Sequence, residues 1–185
     1  MLANVEYGCN DFWFRNGTSL GEGGFGKVFQ FPFHGIDVAF KEIPIYFGND
    51  RNKAIEQAYD EYDIMNTVSK KPEKGGLMVR ISFDQYETGM EELILSPLSC
   101  FFMEEVSSQK VWMILVLPKI KTDLEKLKQN YDLSEDNLRS IMEQLFQAMD
   151  YMYMVRSIRH QDLKPSNILI NYKEDGNGIK DIKVN

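Results

Sequence analysis

The stretch LGEGGFGKVF, Leu20 to Phe29, satisfies three glycine patterns together, and the element after it decides among them. Gly21, Gly23 and Gly26 spell the G-x-G-x-x-G of a dinucleotide site. Gly21 to Lys27 also reads as the G-x-x-x-x-G-K of a P-loop, with Val28 where Ser or Thr would hold Mg²⁺. A third pattern, G-x-G-x-x-G-x-V, carries the same glycines through Val28. The first two need a helix N-terminus after the loop, so that its N–H groups face the phosphates. The chain continues instead with KVFQFPF, a turn at His34-Gly35, then IDVAFKEI, aromatic and β-branched runs that predict strands. A hairpin folded over a ligand is the reading this leaves, with Lys27 on an exposed strand position.

The chain around this loop has 185 residues, 43% of them hydrophobic, enough to bury a core in one domain or two small lobes. A formal net charge of -7 argues against a broad nucleic-acid footprint or an anionic membrane surface, since both call for a basic stripe. Cys9 and Cys100 are the two cysteines, far apart and without metal-ligand spacing, which fits a reducing, intracellular compartment, expected to be the cytoplasm. The N-terminus MLANVEYGCNDFWF lacks a basic start before an apolar run, so no signal peptide is expected. No apolar run approaches the roughly 20 residues of a membrane-spanning helix.

From Asp50, a possible N-cap, DRNKAIEQAYDEYDIMNTVSKK changes to helical spacing. At 100° per residue, Ala54, Ile55, Ala58, Tyr62, Met65 and Val68 share one face, with Glu56, Asp60, Asp63 and Thr67 opposite. Glu61 falls on the apolar side, where a carboxylate is costly to desolvate unless a cation meets it. Residues 70 to 110 hold strand-like pieces, LMVRISF and SCFFMEE, between Gly and Pro breaks. VWMILVL reads as a strand buried on both faces, and PKIKTDLEKLKQNYD as a linker and a short polar helix. In LSEDNLRSIMEQLFQAMDYMYMVR, Ser134 is a plausible N-cap, and Leu138, Ile141, Met142, Leu145, Met149 and Met152 recur at helical spacing, the methionines as core filler. The loop SIRHQDLKPSN, the strand ILI, the turn NYKEDGNG and IKDIKVN close the chain as a hairpin; DGNG lacks the Glu that completes a calcium loop. The order predicts a strand-rich part with one helix, a mainly helical part, and a cleft between them.

GEGGFGKV, VAFK ending in Lys41, Glu61 on a helix, and HQDLKPSNILI stand in the order of a protein kinase catalytic domain, which the chain resembles over nearly its whole length. The resemblance implies an α+β, two-lobed fold. An antiparallel-sheet N-lobe with one helix would occupy residues 1–117, and the hinge with the first part of a helical C-lobe residues 118–185. It also implies ATP and Mg²⁺ as cofactors and a protein as substrate, while the charge and the apolar runs leave the expectation of no nucleic acid and no membrane. Gly21, Gly23, Gly24 and Gly26 would let backbone N–H groups approach the phosphates, with Phe25 covering them. Lys41 would hold the α- and β-phosphates and pair with Glu61. Leu20, Val28 and Ala39 would cover the adenine and Leu169 would lie beneath it. The hinge near Leu117 to Lys119 would bond the adenine edge, and Asp123 would reach the ribose. Asp162 would accept the hydroxyl proton, Lys164 would steady the γ-phosphoryl group, and Asn167 would bind Mg²⁺.

Lys164, two residues after Asp162, is similar to Ser/Thr-directed rather than Tyr-directed members. Pro118 stands where the family usually has an acidic residue, which leaves the gatekeeper as either Val116 or Leu117. Gln161 replaces the arginine of His-Arg-Asp, which commonly pairs with a phosphorylated activation loop. The chain ends at Asn185, where the family's Asp-Phe-Gly would come next, so the expectation is a truncated kinase whose 185 residues alone are nearly inactive. The rival expectation is a non-catalytic kinase-like module that binds nucleotide or a protein partner.

Overall fold

The strands expected around the glycine loop form a single antiparallel sheet in a computed structural model that describes residues 13–23, 26–33, 35–46, 51–68, 93–105, 110–176 and 178–185. The chain divides into two units, one of Met1–Thr67 with Ser96–Lys119, the other of Val68–Leu95 with Ile120–Asn185.

In the first unit a 3-10 turn, Trp13–Asn16, leads into β1 (Thr18–Gly23), β2 (Gly26–Phe33) and β3 (Ile36–Ile45). Helix α1 (Arg51–Val68), β4 (Ser99–Glu105) and β5 (Lys110–Pro118) come next, and the sheet order is β1-β2-β3-β5-β4. The apolar run VWMILVL therefore lies between two neighbours, which is why both of its faces are apolar. Side chains directly opposite in an antiparallel pair share a face. Phe40 sits opposite Phe29 and Val116, and these rings and branches meet Phe14 from the N-terminal turn, stacked on Phe40 at 5.0 Å. With Val38, Met103 and Ile114 they form the core of this face.

On the other face Lys41 has Val28 and Leu115 as cross-strand neighbours, and Ala39 has Gln30 and Leu117. In α1 the residues of the expected apolar face are buried or half-buried, and Glu56, Asp60, Asp63 and Thr67 are exposed. Asp50 and the strand-like LMVRISF lie outside the described residues, as does the side chain of Glu61.

In the second unit β6 (Thr122–Asp123) runs directly into α2 (Leu124–Asn130), and α3 (Glu135–Asp150) continues as a π-helical turn, Tyr151–Val155. A 3-10 turn, Pro165–Asn167, precedes the hairpin of β7 (Leu169–Asp175) and β8 (Gly178–Val184), and the sheet order is β6-β7-β8. Both helices start on side-chain caps. Asp123 accepts from Lys126 N at 2.8 Å, and Ser134 accepts from Asn137 N at 3.2 Å. Leu127, Ile141, Ile168, Ile170 and Val184 form the core, with Leu145 packed against it.

The expectation that the α3 methionines fill a core is corrected: Met142 is 44% exposed and Met149 38%, and Leu138 is 44% exposed beside them. Helix α3 carries two apolar faces, and the hairpin covers the one through Ile141 and Leu145. Among the described residues no helix is long and apolar enough to cross a membrane.

Candidate active site

The loop between α3 and β7 gathers its functional groups through two backbone devices. Gln161 has a left-handed backbone, φ 46°, which turns the chain sharply before Asp162. Pro165 then opens the 3-10 turn, fixing φ where a helical N–H has no partner. The result brings three expected residues together. Lys164 Nζ lies 2.9 Å from Asp162 Oδ2, and Asn167 Nδ2 donates to the same Oδ2 at 3.0 Å and to the Asp162 carbonyl at 2.8 Å. The Asp162 N–H donates to the His160 carbonyl.

The hydrogen bond from Lys164 holds the Asp162 carboxyl below the usual carboxylate range; partial desolvation opposes this, and the Asn167 bond and the Lys164 charge reinforce it. Asp162 is thus an anion at neutral pH, exposed to whatever approaches the loop. Its position suits a proton acceptor.

Leu169, the next expected residue, pairs across the sheet with Asp123, so both are fixed by β6 and β7. Asp123 spends Oδ1 on the α2 cap and has Lys126 Nζ 3.3 Å from Oδ2, with its side chain only 13% exposed.

In the first unit Lys41, Ala39 and Val28 share one sheet face, and the register separates the two gatekeeper candidates. Leu117 lies opposite Ala39 on that face, whereas Val116 packs with Phe14 and Phe40 on the other. Leu20 lies at the register irregularity between Ser19 and Gly21, and Lys119 comes directly after β5, half-buried. Gly23 pairs with Gly26 to close the hairpin; Gly24 and Phe25 lie outside the described residues.

The glycines have different reasons. A Cβ on Gly26, at φ 119°, would run into the Glu42 carbonyl, so the fold itself demands glycine there. A Cβ on Gly21 would meet nothing within 4 Å.

Glu42 escaped the sequence reading. It is 1% exposed, lies on the face of Val38 and Phe40, and is met by the Arg15 guanidinium, which sits 5.3 Å from the Trp112 ring centre. The signal was present: period two along VAFKE puts Glu42 with the apolar residues, as helical periodicity did for Glu61.

The sequence profile of the Protein kinase domain matches residues 14–184. The chain is 26% identical over 181 residues to the probable serine/threonine-protein kinase fhkB of Dictyostelium discoideum, an alignment covering 97% of this chain and 13% of that protein. It is 32% identical over 103 residues to CBL-interacting protein kinase 11 of Oryza sativa subsp. japonica, covering 55% and 20%. It is 32% identical over 80 residues to mitogen-activated protein kinase 12 of Rattus norvegicus, covering 43% and 22%. The aligned chain thus spans 13% to 22% of the lengths of these relatives.

Proposed function

The chain belongs to the protein kinase family, and from that premise we propose that it carries the ATP-binding and catalytic-loop residues of a kinase that transfers the γ-phosphoryl group to Ser or Thr hydroxyls of protein substrates, the 185 residues alone being nearly inactive. The observation that carries this is the ionised Asp162, held by Lys164 and Asn167 in one loop. A substrate hydroxyl gives its proton to Asp162 as its oxygen bonds to the γ-phosphorus. The bond from that phosphorus to the β,γ-bridging oxygen breaks, and ADP leaves with the electron pair. Lys164, already beside Asp162, neutralises charge on the moving phosphoryl group.

Lys41 takes the α- and β-phosphates, with Val28 and Ala39 on its own sheet face against the adenine. Leu117, opposite Ala39, is the gatekeeper in this reading. Leu20, Gly21, Gly23, Gly26 and Lys119 complete the set in the first unit, Asp123 and Leu169 in the second. Glu61, on α1, is the partner for Lys41.

Among the described residues no group of three or more His, Cys, Asp and Glu could cage a metal. The donor set fits Mg²⁺ carried largely on phosphates, with few protein ligands. Asn167 would hold it through Oδ1, since Nδ2 is committed to Asp162. Mg²⁺, when bound, neutralises the charge developing on the phosphates.

The test is incubation of the whole gene product with radiolabelled ATP and peptides carrying Ser, Thr or Tyr. Label on Ser and Thr that disappears in Asp162→Asn and in Lys41→Met is the expected result. Saturable ATP binding without any transfer would replace this reading with that of a non-catalytic module. We also place the protein in a reducing intracellular compartment, supported by two cysteines without disulfide-framework spacing. Recovery of a disulfide-linked form from freshly lysed cells quenched with maleimide would contradict that placement.

A further inference from the structure

Beside the apolar contact of Ile141 and Leu145 with the hairpin, helix α3 meets β8 through one polar side chain, Gln144. Gln144 Nε2 donates to the Ile182 carbonyl at 2.9 Å, and Gln144 Oε1 accepts from the Val184 N–H at 3.0 Å. A carbonyl at one residue and an N–H two residues on are the pair that an edge strand offers to another strand, and β8 is the edge of its sheet. The amide answers both with one planar group. Ser140 fixes which way it faces, because its hydroxyl and carbonyl oxygens both accept from Nε2, at 3.1 and 3.3 Å. Reversing the amide would set Oε1 against oxygen acceptors.

The hold continues inward from β8. Val184 pairs with Ile170, Asn185 N donates to the Leu169 carbonyl at 2.8 Å, and Asn171 donates to Asn185 Oδ1 at 3.1 Å. Asn171 also accepts from Lys121 N at 3.0 Å, and Leu169 pairs with Asp123. A continuous hydrogen-bonded path thus runs from Gln144 to the two residues of this unit assigned to the nucleoside.

We propose that Gln144 is a positioning residue for nucleotide binding, fixing the end of β8 and through it Leu169 and Asp123. This rests on the ATP-binding reading above. Gln144→Leu removes both hydrogen bonds at similar size, and Gln144→Glu keeps the acceptor but sets an oxygen against the Ile182 carbonyl. Ser134→Ala, which removes the cap of the same helix, is the control that disturbs stability without touching β8.

Calorimetric titration with Mg-ATP is read beside the thermal midpoint and amide exchange at Val184. The expected result is an affinity about fivefold to tenfold weaker in Gln144→Leu, the size of one or two net hydrogen bonds. A smaller loss is expected in Gln144→Glu, faster exchange at Val184 in both, and affinity within twofold of wild type in Ser134→Ala. Wild-type affinity in the Gln144 variants overturns the proposal, as does an equal affinity loss in Ser134→Ala. If Gln144→Leu does not fold, Gln144→Glu and its exchange decide alone. A wild-type protein that binds no ATP overturns the ATP-binding reading itself, a result distinct from binding that ignores Gln144.

Discussion

At the scale of single residues, two carboxylates sit in opposite circumstances. Asp162 is exposed and its pKa is lowered first by Lys164. A group with a depressed folded value contributes stability above its unfolded value and loses it as pH falls through the folded one. The stabilising pairing therefore persists through neutral pH and fades only in strongly acidic solution. Lys164→Ala is expected to move the Asp162 midpoint upward in a carbon-detected NMR titration of the carboxyl groups; an unmoved midpoint would contradict the assigned cause.

Glu42 is buried instead, and the Arg15 guanidinium meets it. Arg15→Ala leaves that carboxylate inside the sheet face without its guanidinium and is expected to cost about 3 kcal/mol in urea unfolding. Replacing both residues with Met should cost far less, because the buried charge goes with its partner. Equal losses in the single and double variants would count against a charge-burial origin. The chemistry of Asp162, Lys164 and Asn167 could be read from DLKPSN, since all three lie within six residues and the proline fixes the turn. Glu42 could have been read by the same logic that selected Glu61. The Gln144 contact with β8 could not, because it joins residues 38 positions apart through a polar side chain that periodicity ignores.

At the scale of elements, the glycine hairpin separates fold from function. Gly26→Ala meets the Glu42 carbonyl and a φ of 119°, so it is expected to destabilise by more than about 2 kcal/mol. Gly21→Ala places a methyl group in open space and should leave stability within about 0.5 kcal/mol while weakening ATP binding several-fold. Thermal unfolding and an ATP titration on both variants check this contrast, and two variants that lose stability equally would contradict it.

Helix α1 was legible because its apolar and polar positions alternate at one period. Which of Val116 and Leu117 shares the face of Ala39 was not, because VWMILVL is apolar at every position and only the pairing of Ala39 with Leu117 distinguishes its faces. The same limit explains α3. Its periodicity marks apolar positions but does not say which of two apolar faces the hairpin covers.

At the scale of the whole molecule, the ordered motifs indicated the family, and the strand after the glycine loop excluded the helix-capped alternatives before any pairing was known. The pairing of SCFFMEE with VWMILVL as β4 and β5 was beyond sequence reasoning, since Gly and Pro breaks precede the first run and VSSQ, between the two strands, carries no turn signature. The proposed ATP binding rests on Lys41 in the first unit, and the proposed proton transfer on Asp162 in the second. The most direct measurement is a calorimetric titration of the protein with Mg-ATP, in parallel on wild type, Lys41→Met and Asp162→Asn. Saturable binding in wild type, retained in Asp162→Asn and lost or weakened at least tenfold in Lys41→Met, is the expected result; no saturable binding in wild type, or unchanged binding in Lys41→Met, would contradict it.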